Sequence, residues 1–292
     1  MKLAVIANPK KYSVKEPFTR ALNWADENDV QIIFNSDLKD LYDGQDHPSA
    51  RIVGSEAEAI DEADIIVAMG GDGTMLYTAR LMKNISKPIL GVNSGRLGFM
   101  AYTQMENLIK ALEYLKEENY RLDKRFMLEA EDENGNIYHA LNEFLFSKKD
   151  STSMVTVEAE YDNMFINKYW ADGLIVASPT GSTAYNLSSN GPIVMPNTDV
   201  MVLNPINPHT LTTRPLVLPS DKSLKITVHK QQHEVLFSYD GEIYEIQGYP
   251  FVVEIRRSNF TIDLIELPDQ SYFETLRNKL MWGMDFRKGS EK

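Results

Sequence analysis

Gly70-Gly71-Asp72-Gly73-Thr74 is the segment of this 292-residue sequence best suited to chemistry. Three glycines remove the side chains that would hold a ligand off the backbone, and a helix beginning just after them offers unpaired amides to an anion, so the segment suits phosphate. An acid among those glycines is unexpected in a simple anion trap, because a carboxylate repels phosphate. Asp72 is therefore read as binding a metal, accepting a proton or bonding a sugar hydroxyl. The alternative without chemistry is a tight strand-to-helix turn in which Asp72 caps the helix. Two other phosphate motifs do not fit. No G-x-x-x-x-G-K-[ST] occurs, and Leu76 stands where a dinucleotide fingerprint requires glycine or alanine.

The elements that must position this loop are written as hydrophobic periods. Leu3 to Ala7, Gln31 to Phe34, Ile65 to Met69 and Ile89 to Val92 read as short buried strands. Phe18, Ala21, Leu22 and Ala25 recur at helical spacing, Ser55 with Glu58 forms a capping box ahead of a helix carrying Ala59 and Ala63, and Met75, Ala79 and Met82 share a face after the glycine loop. Alternation of strand and helix predicts a parallel sheet. Asp40 to Ser49 reads as a surface loop, and Leu108, Ile109, Leu112 and Leu115 as one more amphipathic helix. From about Arg125 to Leu267 the pattern changes to short apolar runs with turn signals at Asn134-Gly135, Asp162-Asn163, Pro219-Ser220-Asp221, Asp240-Gly241 and Gly248. Ser271 and Glu274 then make a second capping box, and Phe273, Leu276 and Leu280 share a face that must pack against something. The expected fold is an α/β N-terminal domain with a parallel sheet (1–103, joined by 270–292) and a β-rich C-terminal domain (104–269), with the C-terminal helix packing back on the N-terminal domain.

Two further segments carry polar residues in apolar surroundings. In Ala140-Leu-Asn-Glu-Phe-Leu-Phe146 two adjacent polar residues interrupt a strand, so their side chains take opposite faces and at least one meets a buried environment. A hydrogen-bonding ligand or an internal network would satisfy it. Asp172-Gly173 precedes the run Leu174 to Ala177, and Pro179-Thr-Gly-Ser-Thr183 then gathers hydroxyls and a glycine into a turn. Such a turn exposes amides and hydroxyls together, as recognition of a ribose, amide or phosphate requires; it is also an ordinary helix cap.

GGDGT after a buried strand, GVNSGRLGF at Gly91 to Phe99, LNEF at Leu141 to Phe144, ADGLIVASPTGSTAYNLS at Ala171 to Ser188 and SYFETLRNKLMWG from Ser271 to Gly283 together resemble the ordered motifs of the bacterial NAD kinases. GGDGT alone is a weak signal, because diacylglycerol and sphingosine kinases and phosphofructokinases carry related loops; the motifs in order are far more specific. The resemblance implies phosphoryl transfer from ATP or polyphosphate to the 2′-hydroxyl of the adenosine ribose of NAD, with Asp72 orienting that hydroxyl and accepting its proton, and Gly70, Gly71 and Thr74 forming the phosphate loop. It further implies dinucleotide contacts from Asp72, Gly73, Phe99 against adenine, Asn142, Glu143, Asp172, Thr183, Ala184, Tyr185, Asn186, Leu187 and Ser188. Trp170 stands where arginine is frequent in the family, Ser153 where some members carry histidine, and Glu242 where glutamine is common, so these weaker positions bear on nicotinamide-side contacts. A lipid or sugar kinase sharing the loop leaves LNEF and TGSTAYNLS unexplained; a non-catalytic NAD(P) sensor is the alternative from another class.

Composition bounds the partners. Thirty basic against 42 acidic residues give a net charge of −12, the wrong sign for a broad face toward nucleic acid or anionic lipid. The absence of cysteine removes disulfides, thiolate zinc sites and thiol nucleophiles. No run approaches the roughly 18 apolar residues of a membrane span, and the apolar start is too short for a signal-peptide core, so a cytoplasmic protein is expected. His229 and His233 have i, i+4 spacing without a third ligand, which reads as a polar hairpin end, and no protein metal ligand is identified. Arg96 is the one cation inside the loop motifs, so Mg²⁺ and backbone amides are expected to balance the triphosphate. The family also implies a homodimer or homotetramer.

Overall fold

The computed structural model describes residues 1–41, 46–82, 85–93, 95, 98–149, 153–231 and 233–282. Ser94, Arg96 and Leu97 of the second glycine-rich stretch, part of the predicted 40–49 loop, and Gly283 lie outside them. The chain divides into two units, Met1–Asp123 with Ile262 onward, and Lys124–Thr261.

In the first unit the strands are β1 (Lys2–Ala7), β2 (Gln31–Asn35), β3 (Ala50–Val53), β4 (Ile65–Gly70), β5 (Ile89–Asn93) and β6 (Thr103–Gln104), with helices α1 (Lys15–Asn28), α2 (Glu56–Glu62), α3 (Asp72–Met82) and α4 (Leu108–Lys116). The sheet is parallel in the order β5-β4-β1-β2-β3, with β6 beside β5. Its register, Leu3 opposite Ile65 and Ile32, sets alternate residues on opposite faces. Leu3, Val5, Phe34 and Val67 pack with Phe18 and Leu22 of α1 and Leu108, Leu112 and Leu115 of α4 in one core. Phe18 meets Phe34 edge to face at 5.0 Å. Because α4 completes this core, it belongs to the first unit, so the division falls at 123/124 and 261/262 where the sequence suggests 103/104 and 269/270. On the opposite side α2 packs on β1 and β2, and α3 on β4 and β1. Ser55 caps α2 by accepting the Glu58 N–H at 3.2 Å, while Glu58 reaches back to the Gly54 N–H. Strand β3 has no counterpart in the sequence reading; it is an edge strand whose Arg51 and Ile52 are exposed, which erases the apolar signal.

The second unit is antiparallel. Strand β7 (Arg121–Asp132) enters it and pairs with β8 (Ile137–Ala140). One sheet joins β10 (Val155–Tyr161), β11 (Met164–Ala171), β15 (Leu224–Val228) and β18 (Phe251–Glu266) in the order β11-β10-β15-β18. The other joins β9 (Glu143–Lys148), β12 (Gly173–Ala177), β13 (Val200–Ile206), β14 (Leu216–Pro219), β16 (Val235–Tyr239) and β17 (Glu242–Glu245) in the order β14-β13-β12-β9-β16-β17. Phe144, Phe146, Leu174, Val176 and Phe237 share a core with Val157, Ile226, Val253 and Ile255. Two predicted turns are hairpin ends with left-handed residues: Asp162 (φ 50°) with Asn163 (φ 61°), and Asp240 (φ 46°) with Gly241 (φ 85°). Between β12 and β13 lies α5 (Tyr185–Ser188).

The final helix α6 (Tyr272–Leu280) departs from its expected face. Phe273 is exposed and Leu280 half-buried, while the inward stripe is Tyr272, Thr275, Leu276 and Lys279. Ser271 makes no side-chain cap; its carbonyl instead accepts both the N–H and the Oγ1–H of Thr275, which draws Thr275 inward. Among the described residues no helix is long and apolar enough to cross a membrane.

Candidate active site

The glycine loop sits where β4 hands over to α3, at the C-terminal edge of the parallel sheet. Asp72 opens α3, yet its carboxylate does not cap that helix. Oδ2 accepts the Phe99 N–H at 2.9 Å, and Oδ1 accepts those of Met100 at 3.0 Å and Ala101 at 3.4 Å. A Cβ on Gly98 would lie 2.1 Å from Asp72 Oδ1, so glycine at 98 is the condition for this cradle. The amides fix the direction of the carboxylate, and its oxygens, with about four lone-pair positions between them, keep acceptor capacity.

Lys279 reaches the same carboxylate from the inward stripe of α6. Its Nζ lies 3.8 Å from Asp72 Oδ2 and 4.4 Å from the centroid of the Phe99 ring. Sequence reasoning missed this cation, because it stands far from the loop motifs. The i, i+3, i+4, i+7 pattern of Tyr272, Thr275, Leu276 and Lys279 is the one signal that held it. Phe99, expected against adenine, is half-buried beneath this ammonium. Beside the loop, Gly71, Gly73 and Thr74 line a cavity of about 470 Å³ together with Lys11, Asn35, Asp37, Glu56 and Tyr77. No atom stands within 4 Å of a Cβ built on Gly71 or Gly73, so the backbone there is open to a ligand, whereas Thr74 covers Gly70.

In the second unit, Leu141 and Asn142 form a bend between β8 and β9 rather than lying inside one strand. The bend is held by Asp240, whose carboxylate accepts the N–H groups of Leu141 at 2.7 Å, Asn142 at 2.8 Å and Glu143 at 3.2 Å. The sequence marks Asp240 only as a turn residue. Asn142 is 7% exposed, and its carbonyl accepts the Ser178 N–H at 2.8 Å. Glu143 Oε2 is buried without a partner, and its carboxyl is pushed up to about 8 by burial first and by the Asp240 carboxylate second, against a hydrogen bond from the Tyr185 N–H.

The Pro179–Thr183 turn is packed directly on that bend: a Cβ on Gly181 would lie 2.1 Å from the Asn142 carbonyl oxygen. Thr180–Thr183 forms a 3₁₀ turn leading into α5. Thr183, Ala184 and Leu187 are half-buried and Tyr185 and Ser188 exposed, which leaves them accessible. Asn186 is not: fully buried, it donates to the carbonyls of Ser182 and Pro192, and its Oδ1 accepts from Asn204. Its side chain holds the turn. Asp172 is paired with Lys148 at 2.6 Å and with Asn207 at 3.1 Å, and the Lys148 hydrogen bond, then that of Asn207, hold its carboxyl below the usual range. Trp170 lies against His209 with centroids 4.2 Å apart, Ser153 is buried, and Glu242 is exposed at the start of β17. His229 pairs with Glu158 at 3.2 Å on the surface, and among the described residues no group of three or more His, Asp or Glu is placed to hold a metal.

A glycine-acid loop on a parallel sheet, followed by a β-rich unit with a buried Asn-Glu bend, is the two-part architecture of one enzyme class. Residues 3–120 match the ATP-NAD kinase N-terminal domain and residues 141–267 the ATP-NAD kinase C-terminal domain. This chain belongs to the ATP-NAD kinase family. It is similar to the NAD kinase of Flavobacterium johnsoniae, 37% identical over 98% of this chain and 100% of that protein, and to the NAD kinase of Flavobacterium psychrophilum, 35% identical over the same shares. Among solved structures it is similar in fold to yeast NADH kinase complexed with NADH (TM-score 0.90, 22% identity, 99% of this chain and 90% of that one). The fold is also that of an NAD kinase from Archaeoglobus fulgidus in complex with ATP (TM-score 0.77, 23% identity, 96% and 99%).

Proposed function

We propose that this protein transfers the terminal phosphoryl group of ATP to the 2′-hydroxyl of the adenosine ribose of NAD, giving NADP and ADP. Relatives of the same length named NAD kinase support the substrates, and the observation that carries the mechanism is the Asp72 carboxylate, aimed by three backbone amides of which Oδ2 takes only one. The O2′–H bond breaks toward Asp72, O2′ attacks the γ-phosphorus, and the bond to the β-phosphate oxygen breaks with its electron pair leaving on ADP. The transition state of such transfers is loose, so alignment and charge neutralisation supply most of the rate. Lys11 and the start of α3 face the donor phosphates in the cavity beside Gly71, Gly73 and Thr74. Mg²⁺ enters as part of the donor, Mg-ATP.

For the dinucleotide we assign contacts to Gly73, Phe99, Asn142, Glu143, Asp172, Thr183, Ala184, Tyr185, Leu187 and Ser188, with Asn186 positioning the turn. Glu143 in its neutral form offers an O–H donor at the very oxygen that has no partner. Ser153, Trp170 and Glu242 remain candidates for the nicotinamide side. The same reading carries a cytoplasmic setting and a homodimer or homotetramer; Met164 and Phe165, exposed on the edge strand β11, suit contact with a second copy.

The test is an assay of purified protein with labelled ATP and Mg²⁺ against NAD, diacylglycerol and sugar phosphates. NADP is expected as the labelled product, and excess chelator abolishes it. Label on a lipid or sugar, or calorimetric NAD binding with no NADP formed, refutes the reading.

Lys279 is assigned to neutralise the transferred phosphoryl group beside Asp72. Lys279→Met, which keeps the stem and removes the charge, is expected to lower kcat about tenfold with little change in the KM for NAD, and Lys279→Arg to retain most of the activity. Steady-state kinetics on the two variants check this; equal losses in both would assign the residue to packing alone.

A further inference from the structure

Asn35 ends β2 at the wall of the cavity beside the glycine loop, 6% exposed. Its Nδ2 donates to Asp37 Oδ2 at 3.2 Å, while its Oδ1 is buried and meets no donor. The Asp37 carboxylate accepts and does not donate, so it fixes which way the amide faces: reversing Asn35 would set Oδ1 against a carboxylate oxygen. Buried carbonyl oxygens normally find a partner, and the residue that carries this one lines the cavity.

The strand order sorts a ligand of this cavity. The loop after β4 and the end of β2 are separated by β1, a span of roughly 10 Å at about 4.8 Å per strand. At the first end lie the open backbone of Gly71 and Gly73 and the start of α3, which favour phosphate. Asp37 and Glu56 line the same cavity, and their charges turn phosphate away and welcome N–H and O–H donors. A nucleotide with its phosphates on the glycine loop thus extends its base over β2.

We propose that Asn35 Oδ1 accepts a hydrogen bond from the exocyclic 6-amino group of the donor's adenine, and so selects ATP over donors whose purine carries a 6-oxo group. This rests on the ATP-dependent reading above. A 6-oxo group would set two acceptors face to face, and the amide cannot turn to meet it because Asp37 holds its NH₂.

Three donors test this on the unaltered protein: ATP, purine riboside triphosphate, which lacks any 6-substituent, and inosine triphosphate, each with NAD and Mg²⁺. The expected order of kcat/KM is ATP, then the unsubstituted purine, then inosine triphosphate, with at least tenfold between first and last. Asn35→Leu, close in volume and without the acceptor, is expected to lower kcat/KM for ATP about tenfold, to bring the ATP and purine riboside values together and to leave the KM for NAD unchanged. Equal use of the three donors by the unaltered protein, or an unchanged ratio in Asn35→Leu, overturns the assignment while NADP formation still stands. If Asn35→Leu does not fold, the donor series alone decides. No NADP from any donor overturns the functional reading and this inference with it.

Discussion

Replacing Asp72 by asparagine is expected to lower kcat by about 10²-fold or more, with NAD affinity changed by no more than severalfold. The variant keeps the size of the side chain and removes the proton acceptor, so the loss falls on the chemical step. The structure adds a second consequence. Phe99, Met100 and Ala101 all point N–H donors at this carboxylate, and an NH₂ in place of one oxygen sets donor against donor. Segment 98–101 should therefore loosen, and the melting temperature should fall slightly. The two effects separate cleanly: calorimetric NAD binding and thermal melting report the segment, and saturating kinetics report the proton transfer. Near-normal turnover in Asp72→Asn would falsify the role given to this residue.

What the sequence revealed and what it hid follow from where each signal resides. Strands β1, β2, β4 and β5 were legible because parallel strands buried on both faces are continuous apolar runs, and α1 because its buried residues keep a helical period. The glycine loop was legible because its chemistry is local. β3 was not, since an exposed edge strand loses the apolar contrast that marks a strand. Asp240 was visible only as a hairpin end; its hold on the Leu141–Glu143 amides joins residues 97 to 99 positions apart, which no local pattern encodes. Lys279 and Asn35 were hidden for the same reason. Each looks ordinary in its own element, and only the tertiary fold sets one beside Asp72 and leaves the other without a donor.

Glu143 provides the largest expected effect on stability. Its carboxyl is raised from an ordinary 4.5 to about 8, by burial first and by the Asp240 carboxylate second. Between those two values the unfolded chain releases a proton that the native protein keeps, so the native state binds more protons and stability falls as pH rises. Below pH 4.5 both states are protonated and the contribution vanishes; above pH 8 both are ionised and the loss is complete, on the order of 5 kcal/mol. The lowered carboxyls of Asp132 and Asp172 act oppositely, with stability that is lost as pH drops through the acid range. Urea unfolding from pH 5 to 9 should thus show a declining limb. Glu143→Gln, whose amide can still accept the Tyr185 N–H, should flatten that limb, matching the unaltered protein near pH 5 and exceeding it at pH 8. Asp240→Asn is the poorer probe, because its NH₂ would face backbone N–H donors in the bend. Parallel stability curves for Glu143→Gln and the unaltered protein would show that Glu143 titrates as a solvated carboxylate, and its neutral form would lose its place as a hydrogen-bond donor to the dinucleotide.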